Sequence, residues 1–302
     1  MTARISFDAS SGKFVGYVNG KVVKRSKERK HVEEKVAALS GTKVDFDGAI
    51  AKAAERDAKF GINTRFEFVE KLVNMVAAGV QPSAVVTGEG GLGKTYTVTK
   101  TLEKNGFKDI SDLGEFQVGA VVNTRKCFTM VKGYSTAKGL YRTLFENNKS
   151  VIVFDDCDAV LKDPVALNLL KGALDSYGKR IISWNADMRD EDLPRSFNFE
   201  GRVIFISNMT QDSIDQAIRS RSMLIDLTMN ADQKIERMET IAKCETFMPE
   251  YDNKVKQDAL SLIRKLKDDA KEISLRTLIS VCKIRASNPK DYESLAEYMI
   301  CQ

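Results

Sequence analysis

The chain has 302 residues, of which 43% are hydrophobic, enough to bury a full-sized core in one large or two medium domains. Its 47 Lys and Arg against 42 Asp and Glu leave a net charge of +5, too mild by itself to prove an acidic partner. Five scattered cysteines (Cys127, Cys157, Cys244, Cys282, Cys301) with no C-x-x-C pair, and a single histidine, His31, argue against a zinc site and against Ser-His-Asp chemistry.

Residues 1–40 read as a small unit of three strands and a helix. Ile5 to Asp8 and Phe14 to Val18 have strand character, and Asn19-Gly20 before Lys21-Val22-Val23 is a type I′ hairpin signal. Lys27 to Leu39 is helical, with Val32, Val36 and Leu39 on one side. The stretch Lys21 to His31 is the most basic of the chain and reads equally as a phosphate-contacting patch or as a solvated edge strand. Residues 41–62 form an Ala-rich helical connector. Thr64 to Glu67 has the spacing of a capping box, opening a helix to about Ala78 with Phe68, Leu72 and Val76 as its stripe.

Residues 63–229 alternate strands and helices as a parallel sheet covered on both faces does. Five strands are expected: Ala84 to Thr87, Cys127 to Val131, Val151 to Asp155, Val203 to Ser207 and Met223 to Leu227. Between the third and fourth, Arg180 to Trp184 and Ser196 to Phe199 alternate as two arms of a hairpin. Residues 230–302 are helical, at about 231–243, 253–269, 274–286 and 289–300, with Asn230 and Gln233 as a capping box and Asn288 before Pro289 as another start. The fold class is therefore α/β, with a helical lid after the core and a small N-terminal β-hairpin and helix domain.

Gly88-Glu89-Gly90-Gly91-Leu92-Gly93-Lys94-Thr95 matches G-x-x-x-x-G-K-[ST] between an apolar strand and a helix, the context the motif requires. Glycines let backbone N–H groups turn inward around a phosphate, at a helix N-terminus that adds about half a positive charge. Lys94 is expected on the β- and γ-phosphates, Thr95 on Mg²⁺, and Tyr96 completes the cofactor-binding set read from this segment. Val151 to Phe154 is an apolar run ending in Asp155 and Asp156: Asp155 for the metal, Asp156 to polarise the attacking water.

With these motifs the chain resembles the AAA-plus P-loop ATPases, of phage or bacterial type, over about residues 60–290. The resemblance implies ATP and Mg²⁺ as cofactors and hydrolysis at a site shared between subunits. Asn208, after the fourth strand, is similar to the family's polar sensor for the lytic water. Ile214 to Ser222 is similar to the segment carrying the arginine finger, with Arg221 as the finger and Arg219 as its helper. Arg276, opening a lid helix, resembles the second sensor over the nucleotide. The family's second Walker B acid is usually Glu, and Asp156 is one methylene shorter. The resemblance further implies a hexameric ring or spiral, a pore-loop place for Lys132-Gly133-Tyr134, and a hairpin at 180–199 that either projects into the ring or is fastened to its own core by Trp184 and Phe197. The expected function is an oligomeric motor or loader acting on nucleic acid in replication or recombination. Alternatives are a protein-remodelling chaperone and a slowly hydrolysing assembly scaffold. No apolar run approaches the ~20 residues that span a bilayer, so a cytoplasmic protein without a membrane partner is expected.

Overall fold

The computed structural model describes residues 3–8, 13–18, 21–40, 59–111, 126–133, 135–176, 178–185 and 193–302. The chain divides into two compact units, Met1–Gly61 and Ile62–Gln302.

In the first unit, β1 (Ala3–Asp8), β2 (Lys13–Val18) and β3 (Lys21–Ser26) form an antiparallel sheet in that order, followed by α1 (Arg29–Ser40). Val32 and Val36, one helical turn apart, are buried against Ile5. The helix can lie this close only because residue 16 is glycine: a Cβ there would come within 2.8 Å of Val32 and nearer still to Val36. Leu39, expected on the same stripe, is 44% exposed, because it falls in the last turn beyond the packed pair. The Asn19-Gly20 turn and most of the connector, residues 41–58, lie outside the described residues.

The second unit is built on a six-stranded, all-parallel sheet with the order β11-β4-β10-β7-β6-β5. Its strands are β4 (Ser83–Thr87), β5 (Lys108–Asp109), β6 (Cys127–Lys132), β7 (Val151–Asp155), β10 (Arg202–Ser207) and β11 (Met223–Asp226). Five were expected; the sixth, β5, is two exposed charged residues carrying no apolar pattern. Every residue of β4 and β7 is buried, which is why these strands read as continuous apolar runs. Alternate residues feed two cores. Val85, Ile152, Phe154, Val203 and Phe205 face one side, packed with residues of α4 (Ala137–Glu146) and α5 (Pro164–Ala173). Ala84, Val86, Val153, Ile204 and Ile206 face the other, packed with residues of α2 (Ile62–Ala77) and α3 (Lys94–Lys104). At about 1.5–3 kcal/mol for each fully buried large aliphatic side chain, this two-sided burial is what holds the strand ends, and hence the loops they carry, in register.

Helix α2 starts earlier than its capping box suggested: Ile62 is already helical and fully buried, so Thr64 sits inside the first turn rather than capping it. Of the expected stripe Leu72 and Val76 are buried and Phe68 is only half-buried; the buried face is wider than that stripe and also takes in Phe66, Val69 and Val73. The 180–199 arms form the antiparallel pair β8 (Ile181–Ser183) and β9 (Ser196–Asn198). Trp184 and Phe197 lie 5.8 and 5.2 Å from the ring of Tyr141, and Phe197 is 5.3 Å from Phe145, so of the two readings the arms are fastened to α4.

After α6 (Gln216–Arg221) and β11 come α7 (Ala231–Ala242), α8 (Asn253–Lys265), α9 (Leu275–Ser287) and α10 (Tyr292–Cys301), which share a core including Met238, Ile263, Leu278 and Cys282. The Asn230–Gln233 capping box forms with both of its bonds. Asn288, expected to open the last helix, instead closes α9 by donating its N–H to Ile284 O, and α10 starts after Asp291. Among the described residues no helix is long and apolar enough to cross a membrane.

Candidate functional site

The strands of a parallel sheet all end at one edge, and β4, β7 and β10 deliver there the residues singled out in the sequence. Neighbouring register pairs Thr87 with Ser207 and Ile206 with Asp155, so Gly88, Asn208 and Asp156 emerge together. Strand β4 lies between β10 and β11, neither its neighbour in sequence, which is the topological switch point where α/β sheets open a crevice.

Gly88, Gly91 and Gly93 adopt φ of 134°, 73° and 92°, the left-handed region that side chains resist. At Gly88 the demand is doubled, since a Cβ would lie 2.9 Å from the backbone carbon of Leu227. The loop delivers the chain into α3, whose cap, Gly93, contributes no side-chain hydrogen bond, so the first-turn amides face the loop without a capping acceptor. Lys94, the first residue of α3, is 6% exposed. Its Nζ donates to Gly88 O (2.7 Å), Glu89 O (2.7 Å) and Asn208 Oδ1 (2.9 Å). Asn208 in turn donates Nδ2 to Asp156 Oδ1 at 2.7 Å. The amide orientation is fixed by chemistry, because only its oxygen can accept from an ammonium and only its nitrogen can give to a carboxylate.

Thr95 Oγ1 donates to Asp155 Oδ1 at 3.0 Å, bringing hydroxyl and carboxylate to one point. Asp156 has φ of 56° and donates its N–H to Ile206 O, which turns its carboxylate away from β7 into solvent reach. The third acid, Asp158, accepts from Ser207 Oγ at 2.5 Å and so tethers the end of β10 to the acidic turn.

Burial pushes the Lys94 pKa below the ordinary lysine value, opposed by the carboxylates of Asp156 and Asp155. Burial pushes the Asp155 carboxyl above the usual carboxylate range, helped by Asp156 and opposed by the Thr95 hydrogen bond and by Lys132 and Lys94. The folded chain therefore holds the Asp155 proton more tightly than the unfolded chain does. Ionising Asp155 costs stability, a cost fully present above its folded pKa and absent below the ordinary carboxylate range. Asp155→Asn should accordingly raise the melting temperature of the ligand-free protein at neutral pH, and the gain should vanish as the pH falls towards 4. Thermal unfolding of both proteins across that range checks it; a lowered melting temperature at pH 7 would contradict the burial argument.

The lid meets the loop directly. Leu275 N–H donates to Gly91 O at 2.8 Å, and a Cβ at Gly91 would lie 3.1 Å from Ser274 and 3.9 Å from Arg276 Cδ. Lys234 on α7 forms an ion pair with Glu89. Neither Lys234 nor Asp158 stood out in the sequence, since each acts through a partner far away along the chain. Lys132 ends β6 with Nζ 3.9 Å from Asp155 Oδ2, beside the acids. Tyr134 lies outside the described residues.

The structure thus brings together Gly88, Glu89, Gly90, Gly91, Leu92, Gly93, Lys94, Thr95, Asp155, Asp156, Asn208 and Arg276. Leu92 is buried in the core beneath the loop, and Tyr96 points outward, 56% exposed. Arg221 and Arg219 are not brought there. Arg221 O accepts from Ser83 Oγ at the beginning of β4, whereas the loop follows that strand's end. Arg219 pairs at 3.9 Å with Asp212 on an exposed surface.

No protein-family model matches the chain. It is 27% identical over 274 residues to an uncharacterized 36.7 kDa protein in the nrdC-mobD intergenic region of Enterobacteria phage T4, covering 84% of this chain and 79% of that protein. Among solved structures, one described as the structural basis for katanin self-assembly is similar over 76% of this chain and 69% of its own, at 13% identity and a TM-score of 0.39. A likeness that loose assigns no fold, and the α/β architecture rests on the six-stranded parallel sheet itself.

Proposed function

We propose that this chain is a Mg²⁺-dependent nucleoside triphosphatase of the AAA-plus type, with ATP as its substrate. The observation that carries the reading is the connected set Lys94–Asn208–Asp156 beside Thr95–Asp155, at the mouth of a glycine loop that opens a helix. The uncapped first-turn amides of α3 and the Lys94 ammonium form a cradle for phosphate oxygens, whose charge-assisted hydrogen bonds are about twice as strong as neutral ones. Among the described residues no group of three or more His, Cys, Asp and Glu forms a metal cage. A magnesium ion would be held by the Thr95 hydroxyl, by Asp155 and by the phosphates themselves, and it would neutralise phosphate charge during transfer.

Asp156, exposed and held by Asn208, is the acceptor for the proton of the attacking water, and Asn208 fixes its direction. Arg276, opening a lid helix above Gly91, adds positive charge over the phosphates. Arg221 and Arg219 serve a neighbouring copy, in a ring or spiral with shared sites. Titration of ATP with Mg²⁺ into folded protein tests the reading: saturable binding followed by release of phosphate supports it, and no heat of binding overturns it.

The polymer acted on is nucleic acid. In support, β3 is an edge strand on which Lys21, Lys24 and Arg25 are exposed, with Lys27 exposed just beyond it. Each phosphate contact adds about 0.9 to the slope of log affinity against log salt, so Lys24→Ala with Arg25→Ala should make that slope shallower by about 1.5 to 2. Fluorescence-anisotropy titrations of labelled DNA at several salt concentrations measure it, and an unchanged slope rules the strand out.

A further inference from the structure

The opposite edge of the large sheet, where β4, β6, β7 and β10 begin, holds a second cleft of about 770 Å³. Five residues of β4 separate it from the phosphate loop, a distance of about 17 Å at the usual rise along a strand. Its wall carries four cations, Lys126, Lys149, Arg180 and Arg202, against two carboxylates, Asp175 and Glu200.

The two arginines are held in place. Arg202 Nη1 donates to Val76 O (3.1 Å) and Ala77 O (2.8 Å) at the end of α2, and its guanidinium lies 5.6 Å from the Phe107 ring centroid. Arg180 Nη1 donates to Ala173 O (3.1 Å) at the end of α5, and its guanidinium lies 5.2 Å from the Phe199 ring centroid. Each planar fork is thus fixed by a carbonyl and an aromatic ring before any ligand arrives. Arg180 titrates below its ordinary value chiefly because it is buried, and further because Arg202 is near enough to repel it. Closing helix ends accounts for the two arginines. It does not account for Lys149, which reaches Glu200 only at 3.8 Å, or for Lys126, which has no acidic partner among the described residues.

We propose that this cleft binds a small phosphorylated molecule bearing hydroxyl groups, at a site separate from the phosphate loop. A phosphate would sit among Arg180, Arg202 and the two lysines, relieving their mutual repulsion, while Asp175 and Glu200 at the wall accept hydrogen bonds from the hydroxyl groups. Those carboxylates disfavour a bare phosphodiester strand, which offers few donors and a continuous run of negative charge. The volume suits a ligand of sugar-phosphate or nucleotide size, since such sites span about 300–1,000 Å³.

The test uses full-length protein carrying Lys94→Ala, so that the phosphate loop does not contribute, titrated calorimetrically with ribose 5-phosphate, AMP, inorganic phosphate and, as a neutral control, ribose. Saturable binding of a phosphorylated probe but not of ribose is expected, and the order of the probes tells a sugar phosphate from a nucleotide or the free ion. Lys126→Gln with Lys149→Gln, and separately Arg180→Gln, should each weaken that binding about tenfold or more, the worth of a charge-assisted contact. The lysine pair lies on the cleft wall outside the core, so it keeps the test decisive should the arginine variant fail to fold; the same titrations on otherwise wild-type protein cover loss of the Lys94→Ala fold. No saturable binding by any probe, or binding undiminished in the lysine pair, overturns the proposal. The outcome is independent of whether the phosphate loop binds ATP.

Discussion

Lys94→Ala is expected to leave a folded protein whose affinity for ATP with Mg²⁺ falls by about 10²- to 10⁴-fold, the equivalent of losing charge-assisted contacts to two phosphates at about 1.5–3 kcal/mol each. Two effects compete in the ligand-free protein. Removing the ammonium strips hydrogen bonds from Gly88 O, Glu89 O and Asn208 Oδ1, but it also ends the cost of keeping a charge in a site 6% exposed. Glu89 and Asn208 remain within reach of solvent, so water can replace the lost donor there, whereas buried Gly88 O loses its partner at about 1–3 kcal/mol, a loss that ending the cost of the buried charge offsets in part. Ligand binding carries no such compensation. A ligand at 100 times its Kd stabilises the folded state by about 2.7 kcal/mol, so ATP should raise the melting temperature of the wild type and leave that of the variant almost unchanged. An ATP-induced shift of equal size in both proteins would contradict the assignment of Lys94 to the phosphates.

The site residues that were legible in the sequence are those whose chemistry is local. Gly88 to Thr95 carries its geometry in its own spacing, and Asp155-Asp156 announces itself by ending an apolar run. Asn208 was legible at one remove, by following a strand whose place in the sheet the resemblance supplied. What stayed hidden acts across distance. Lys234 meets Glu89, and Ser207 meets Asp158, only after the lid folds against the loop and β10 lies beside β7. The fold shows the same division. Strands β4, β7 and β10 declare themselves because both of their faces are buried. By contrast, β5 is made by pairing Lys108 and Asp109 with β6, which no property of those two residues anticipates. The start of α2 was displaced for a related reason: Ile62 is drawn into the helix by its burial, and that tertiary gain outweighs the local capping signal of Thr64.

Arg221→Ala is expected to bind ATP nearly as well as the wild type and to hydrolyse it about 10³- to 10⁵-fold more slowly, the range by which a supplied arginine accelerates phosphoryl transfer. Within its own chain Arg221 is anchored at the first residue of β4 and the phosphate loop begins after the last, about 17 Å of strand away. The guanidinium instead donates Nη1 to Ala217 O within α6, and its buried Nε has no partner among the described residues. An arginine so placed can act on a phosphate only in a neighbouring copy. Arg219, exposed and paired loosely with Asp212, should matter less, since such surface pairs are worth about 0–1 kcal/mol. Mixing separates a supplied arginine from a merely structural one. Arg221→Ala subunits keep Asp155 and the loop, Asp155→Ala subunits keep Arg221, and where one faces the other a complete site is rebuilt from two inactive proteins. Steady-state phosphate release across mixing ratios should therefore rise above both parents and peak near equal amounts. Should every ratio stay at the parental rates while the two proteins still associate, Arg221 belongs to the packing of α6 against β4 and not to the chemistry.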